Sequence, residues 1–293
     1  MLNAMTVDVE DYFHVSALAS SAPRERWSSF ESRVVANTER LLDLFDDADV
    51  KVTCFVLGWV AEHHPTLVKT IAARGHEVAS HGYWHQLVYD LTPDAFRDDV
   101  GRSRRLLQDL SGQSVDGYRA PSFSITRRSL WALDILIAEG YTYDSSIFPV
   151  RHDRYGIANA PRSIHDLVRP AGSIREVPPA TIRLGGQNLS IAGGGYFRLL
   201  PYAWHRWGIG RLNRLERLPA IFYLHPWEID PNQPRLAASH LSTIRHYTNL
   251  HRTAHRLTKL LGTYRFAPMR DVLAGHPGVS PYDAANGRPW GMP

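Results

Sequence analysis

Glu77-Val78-Ala79-Ser80-His81-Gly82-Tyr83-Trp84-His85 joins an apolar run to two imidazoles four positions apart. The run reads as a short buried strand over 76–80, so His81 stands where strand gives way to loop. Imidazole is the commonest metal ligand. Two histidines four apart also arise by chance, and one packed plus one exposed histidine is the plain alternative. The stretch decides the fold because the same arrangement, a strand closed by an ionisable residue, recurs along the chain.

Upstream, residues 4–9 suit a buried strand running into Asp8-Val9-Glu10-Asp11-Tyr12-Phe13-His14. After a loop at 15–31, Val34, Val35, Thr38, Leu41, Leu42 and Phe45 recur at helical spacing. A second strand spans 50–58 and closes on Gly58. A helix follows from Pro65 to Arg74, with Gly75 as its stop. Downstream, Thr92-Pro93-Asp94 supplies a capping hydroxyl, a proline at the first helical position and an acid in the first turn, and Gly112 lies near that helix's end. A short fourth strand covers 115–121. Thr126 caps a helix over 127–139 that Gly140 ends. Residues 141–144 form a fifth strand, 149–172 a long irregular loop and 174–179 a sixth strand. Gly193-Gly194-Gly195 reads as a turn before a helix near 201–213, because a phosphate loop requires a following lysine and Ser or Thr. Residues 220–226 are a strongly apolar seventh strand, 238–261 a helix and 265–267 a last short strand.

Strand and helix alternate about seven times, the pattern of a parallel sheet with crossover helices. At this length the α/β arrangement closes naturally as a (β/α) barrel, with an open doubly wound sheet as the alternative. Asp8, Glu10 and Asp11 end the first strand, His81 the third, Arg119 the fourth, Asp144 the fifth, Glu176 the sixth and His225 the seventh. In such barrels the C-terminal strand ends converge on one face, where catalytic groups sit. One carboxylate with two imidazoles makes an N,N,O ligand set that leaves room for water and substrate, as catalytic zinc sites do. A second carboxylate can accept a proton, an arginine can orient that carboxylate, and a histidine opposite can protonate a leaving nitrogen. Those parts describe hydrolysis of an amide or ester.

Thr6-Val7-Asp8-Val9-Glu10-Asp11, His81-Gly82-Tyr83-Trp84-His85, Arg119-Ala120-Pro121-Ser122-Phe123-Ser124, Asp144-Ser145-Ser146 and Leu224-His225-Pro226 together resemble the ordered motifs of the NodB-homology polysaccharide deacetylases, carbohydrate esterase family 4. The resemblance covers about residues 1–270. Gly193-Gly194-Gly195-Tyr196-Phe197, Tyr223-Leu224-His225-Pro226-Trp227-Glu228 and Tyr247-Thr248-Asn249-Leu250-His251-Arg252 look most like the subgroup associated with exosortase exopolysaccharide loci. The resemblance implies a distorted (β/α)7 barrel that removes N-acetyl groups from a glycan, with a divalent cation, zinc, as cofactor. It implies Asp8 as general base, His81 and His85 as metal ligands, Arg119 as the residue orienting Asp8, and His225 as general acid. The Ser122 N–H would contribute to an oxyanion hole. The first motif departs from the usual pair of adjacent aspartates. Glu10 shares a strand face with Asp8, while Asp11 lies past the strand end. Either can be the third ligand, with Asp11 favoured for its shorter side chain. Asp144 or Glu176 would support His225. Tyr12, Trp84 and Trp227 are candidates to stack on sugar rings, with core packing as the alternative for each.

The chain has 293 residues, 44% hydrophobic and 21% charged, enough for a sizeable core. One domain is expected over 1–274, with a subgroup-specific part at about 185–274 and an irregular tail at 275–293. A single cysteine, Cys54, excludes an internal disulfide. The N-terminus has no basic region followed by an apolar one, so no signal peptide is expected and the cytoplasm is the expected location. No apolar run approaches the ~18 residues of a membrane span. The net charge of +4 comes with dispersed late cations, Arg245, Arg252, Arg256, Lys259, Arg265 and Arg270. These suit a solvated helix face better than nucleic acid, and are compatible with a weak preference for anionic glycans or lipid headgroups. His14, His63, His64, His240, His251 and His255 are expected on the surface. Two rival functions keep the scaffold: hydrolysis of a small cyclic or linear amide, and glycan binding without catalysis.

Overall fold

The computed structural model describes residues 1–276 together with a short antiparallel pair, Tyr282–Asp283 with Arg288–Pro289. Most of the expected 275–293 tail lies outside the described residues. The chain runs β1 (Leu2–Val9), α1 (Val34–Asp47), β2 (Thr53–Val56), α2 (Gly58–His63), α3 (Pro65–Ala73), β3 (Glu77–Ser80), α4 (Pro93–Ser111), β4 (Gly117–Tyr118), α5 (Ala132–Ala138) and β5 (Tyr143–Asp144). It continues through β6 (His165–Arg169), β7 (Gly172–Glu176), β8 (Thr181–Leu184), β9 (Gln187–Ser190), α6 (Gly194–Leu199), α7 (Tyr202–Arg211), β10 (Ile221–Leu224), α8 (His240–Tyr247), α9 (Leu250–Leu261), β11 (Arg265–Ala267) and α10 (Met269–Ala274).

The main sheet has the order β10-β1-β2-β3-β4-β5-β7-β6. From β10 to β7 every neighbouring pair is parallel, which makes seven consecutive parallel strands along this path. Only β6, antiparallel to β7, departs from that direction, and β11 pairs with the first half of β1. The seam between β7 and β10 is bridged by backbone, with Ala180 N–H donating to Ile221 O and Tyr223 N–H to Ala192 O. This is the distorted (β/α)7 barrel. β1 is buried along nearly its whole length, as a parallel strand covered on both faces must be. Gly117 in β4 admits the Tyr143 ring of β5, because a Cβ there would stand 2.0 Å from the ring carbon Cζ.

The helix signals are realised locally. Thr92 Oγ1 accepts from Ala95 N–H, and Gly112 closes α4 in the left-handed region at φ 66°. Two expectations are corrected, and one element is new. The loop at 149–172 contains β6, which forms a hairpin with β7. Residues 181–190 form a second hairpin that no expectation covered. The helix at 238–261 is two helices, broken where Asn249 takes φ 59°.

Candidate metal and catalytic site

The segment from His81 to His85 folds back on itself. Gly82 has φ 72° and His85 φ 53°, and the turn exposes two backbone N–H groups to one carboxylate. Asp99 of α4 accepts from Tyr83 N–H at 2.7 Å and Trp84 N–H at 3.0 Å. Gly58 N–H and Trp59 N–H, at the start of α2, donate to Gly82 O and Tyr83 O. A Cβ on Gly82 would meet Asp99 Oδ2 at 2.8 Å, so glycine is required there. These anchors bring the two imidazoles together, with ring centroids 5.3 Å apart.

His81 Nδ1 lies 2.8 Å from Arg119 O. A carbonyl only accepts, so Nδ1 carries the hydrogen and Nε2 is left with its lone pair. Burial pushes the His81 pKa down to about 4, which keeps the ring neutral. His85 Nε2 lies 2.7 Å from Glu10 Oε2, a buried oxygen with no aligned hydrogen bond. Burial opposes ionisation of Glu10, but His85 and the neighbouring histidines hold its carboxyl well below the usual range. Ligand atoms of Glu10, His81 and His85 all fall within 4.8 Å of one another. Two neutral-capable imidazoles and an ionised carboxylate, converging on a buried and incompletely bonded oxygen, fit a divalent cation of the zinc type.

Asp11 stands elsewhere, and the preference for it is corrected. Its Oδ2 accepts from Ser32 Oγ, Arg33 N–H and Val34 N–H at 2.9, 2.8 and 3.1 Å, and its Oδ1 from Tyr12 N–H at 3.0 Å. The carboxylate caps the start of α1, where anionic groups are favoured. Glu10, two residues past Asp8 on the same strand face, turns inward instead.

Asp8 and Arg119 meet in the floor of the cleft. Arg119 Nη1 donates to Asp8 Oδ1 at 2.6 Å and to Thr6 Oγ1 at 2.7 Å, and its Nη2 donates to Ser145 Oγ at 3.0 Å. The guanidinium is fully buried and lies 4.2 Å from the centre of the Phe55 ring. Across the cleft, His225 Nε2 is 3.8 Å from Asp8 Oδ2 and 3.7 Å from Glu10 Oε1. Its Nδ1 donates to Glu228 Oε1 at 2.7 Å, and Glu228 Oε2 accepts from Arg198 Nε at 2.6 Å. Burial works against a charged His225, but the Glu228 carboxylate and the more distant Glu10 and Asp8 raise its pKa to about 9. Burial likewise opposes the charge on Glu228, yet Arg198 and His225 bring it down to about 2.

Glu228, rather than Asp144 or Glu176, therefore supports His225. Those two acids face each other in register across β5 and β7. Burial raises the pKa of both, and their proximity keeps a proton on Glu176. Asp144 accepts from Ser146 Oγ at 2.5 Å, and Glu176 from Ile147 N–H at 3.0 Å. They brace the strand ends beneath Arg119.

The aromatic expectations divide. Trp227 is 4.9 Å from His225 and 4.2 Å from His246 in a stacked sandwich, and its Nε1 donates to Glu10 Oε1 at 3.2 Å. It forms a wall of the cleft and fixes Glu10. Tyr12 is buried against Phe13 in the core and does not reach the cleft. Trp84 lines a neighbouring depression with Trp27 and His14. His14, expected on the surface, is buried among Phe13, Trp27 and Trp59. Ser122 does line the cleft, and its backbone takes the left-handed conformation at φ 52°. The cleft holds about 220 Å³, with Phe123, Tyr155 and Tyr223 beside Trp227 on its walls. Glu228 and Arg198 were missed as functional residues. The signal was present in His225-Pro226-Trp227-Glu228, a proline-started turn with an acid three residues after the histidine, the spacing of a capping box.

The fold and site define an α/β barrel with a candidate metal centre at the C-terminal strand ends. The polysaccharide deacetylase family model matches residues 21–142, and a domain of unknown function (DUF3473) matches residues 145–274. Residues 21–142 thus carry a polysaccharide deacetylase domain of the NodB-homology type, carbohydrate esterase family 4. It is 33% identical over 98 residues to the peptidoglycan-N-acetylglucosamine deacetylase of Bacillus cereus, covering 33% of this chain and 36% of that protein. It is 32% identical over 108 residues to the peptidoglycan deacetylase of Helicobacter pylori, covering 37% and 36%. The chain thus spans about a third of the length of these curated relatives. A crystal structure assigned as a polysaccharide deacetylase of Mycobacterium smegmatis shares the fold, with a TM-score of 0.60 and 17% identity over 93% of this chain and 90% of that one. Another, from Pseudomonas aeruginosa, gives a TM-score of 0.59 at 15% identity over 92% and 89%. Among the described residues no helix is long and apolar enough to cross a membrane.

Proposed function

We propose that the protein is a metal-dependent N-deacetylase acting on N-acetylhexosamine units of a bacterial-type exopolysaccharide or its precursor. The observation that carries this reading is the meeting of Glu10, His81 and His85 within 4.8 Å, beside Asp8 on one side and His225 on the other. Glu10, His81 and His85 would hold the cation, zinc by the chemistry of the donor set. When bound, that ion polarises the acetyl carbonyl and lowers the pKa of a water molecule. Asp8, oriented by the hydrogen bond from Arg119, accepts the proton of the attacking water. Ser122 N–H, presented by the left-handed turn, donates to the developing oxyanion. His225 carries a proton on Nε2 because Glu228 holds its Nδ1–H, and it delivers that proton to the departing amine nitrogen.

The aromatic cleft walls favour a sugar over a small amide. Residues 1–274 would form the catalytic unit, with 185–274 as its subgroup-specific part. The test is acetate release from N-acetylated chitooligosaccharides before and after exhaustive chelation, followed by zinc add-back. Loss and recovery of activity is expected. Turnover that survives metal removal would overturn the mechanism.

A further inference from the structure

The part of the chain between β8 and α7 builds a second cavity, an open groove of about 760 Å³ whose walls are almost wholly apolar. Leu189, Leu200, Trp204 and Trp207 line it. The two indoles lie 5.4 Å apart, and Trp204 Nε1 is satisfied by Ser190 O at 3.1 Å, leaving its ring faces to the groove. Trp207 is 43% exposed and Leu199, beside Leu200, is 40% exposed. Large apolar side chains in one open depression of this kind mark a binding site.

The groove adjoins the candidate catalytic cleft across the Gly195–Tyr196 segment. Tyr196 is on the groove wall, and its neighbour Gly195 lines the cleft. Tyr196 Oη lies 3.2 Å from Oη of Tyr155, another cleft residue. The cleft side of this junction is cationic. Arg154 and Arg245 line it, both exposed, and neither forms an ion pair with a carboxylate among the described residues. The nearby Asp153 is held by His152 at 2.9 Å. From catalytic site to surface the order is therefore a polar cleft with metal-ligating chemistry, a pair of free guanidinium groups, and an apolar groove.

We propose that the groove receives the hydrocarbon chain of the substrate, which is an N-acetylated sugar joined through a phosphate or diphosphate to a long apolar chain. The sugar occupies the cleft, the phosphate charge sits against Arg154 and Arg245, and the chain runs along Trp204 and Trp207. Arginine suits this place because it binds phosphate oxygens bidentately. The proposal rests on the deacetylase reading of the cleft and names its substrate class.

The test compares two substrates with the same acetylated sugar, farnesyl-diphosphate-linked N-acetylglucosamine and lipid-free chitotetraose. Wild-type kcat/KM is expected to favour the lipid-linked substrate. Trp207→Ser should lower kcat/KM for that substrate about ten- to thirtyfold, the loss expected from exposing one large apolar contact, and leave chitotetraose hydrolysis unchanged. Arg245→Gln, at a residue that also lines the cleft, should lower kcat/KM for the lipid-linked substrate several-fold more than for chitotetraose. Farnesyl diphosphate itself, titrated into metal-free protein and followed by tryptophan fluorescence, should bind wild type and bind Trp207→Ser about ten- to thirtyfold more weakly. If neither substrate is deacetylated, the reading of the cleft fails, while that titration still decides the groove. Equal kcat/KM for both substrates, unchanged in Trp207→Ser, overturns the inference. So does a wild-type dimer that Trp207→Ser converts to monomer in sedimentation, since a second copy would then cover the groove. Binding to phosphatidylglycerol vesicles that requires Trp207, without farnesyl diphosphate binding, also overturns it and makes the groove a membrane-docking face.

Discussion

Replacing Asp11 and Glu10 one at a time separates a helix cap from the proposed metal ligand. Asp11 accepts four hydrogen bonds, three of them from backbone N–H groups of Tyr12, Arg33 and Val34. An asparagine keeps one acceptor oxygen. With that oxygen on the side of Ser32, Arg33 and Val34, its amide faces Tyr12 N–H and leaves one buried donor unpaired, a cost of about 1–3 kcal/mol. Alanine removes all four acceptor contacts, and the loss grows to about 3–5 kcal/mol, the cap and several unpaired donors together. Neither change touches Glu10, His81 or His85. Asp11→Asn should therefore lower the urea midpoint and still bind one equivalent of zinc after metal stripping and reconstitution, measured by mass spectrometry on protein shown to be folded by circular dichroism. Glu10→Gln should do the reverse. It removes the only carboxylate of the three-residue cluster, and zinc affinity should fall by at least the roughly 10–100-fold that losing an outer-shell partner costs. A folded Asp11→Asn protein that has lost its zinc while keeping the wild-type urea midpoint would refute the assignment.

Three further outcomes are expected. His225→Ala should retain zinc and lose kcat by about 10²–10⁴-fold, the range for a general acid; release of the metal would show that His225 is a ligand instead. Glu228→Gln should move the alkaline limb of the kcat profile downward. His225 is protonated below its raised pKa of about 9 and loses the proton as pH rises through it, so removing the neighbouring negative charge brings that loss toward neutrality; an unmoved limb would assign the support of His225 to another group. His76 tests the fold away from the site. It is buried, with Nε2 unpartnered, and burial lowers its pKa to about 4 from 6.5. Below pH 6.5 the unfolded chain binds a proton that the folded one refuses, so stability falls as pH drops toward 4, by roughly 2–3 kcal/mol at pH 4.5. Urea midpoints at pH 7 and 4.5 should differ less for His76→Gln than for wild type, and equal differences would exclude this residue as a source of the acid sensitivity.

The barrel was legible because its signals are local. Thr92, Pro93 and Gly112 bracket α4 by capping chemistry that acts within one turn, and the ionisable residues after each apolar run mark where the strands stop. The errors have physical causes. In β6 and β7, a hairpin turning near Gly172, Asp166 pairs with Arg175 at 2.8 Å and takes part in no apolar alternation, so β6 read as loop. The β8–β9 turn, Gly185-Gly186, is a two-glycine connection of the kind hairpins favour. At the end of β1, strand alternation rather than side-chain length decides which acid joins His81 and His85 in the three-residue cluster. β1 ends at Val9, so Glu10 keeps the direction set by Asp8, while Asp11 falls in the turn where its carboxylate meets the amides of α1. The same logic explains Glu228. Asp144 and Glu176 end their strands as the pattern demands, but the pleat sets them against each other. The acid that holds His225 belongs to the turn that follows it, because three residues of that turn return a side chain to the residue that starts it. Strand ends thus identify which residues share the active face. Which of them touch depends on the turns leaving those ends, and there i+2 and i+3 geometry decides more than the type of acid.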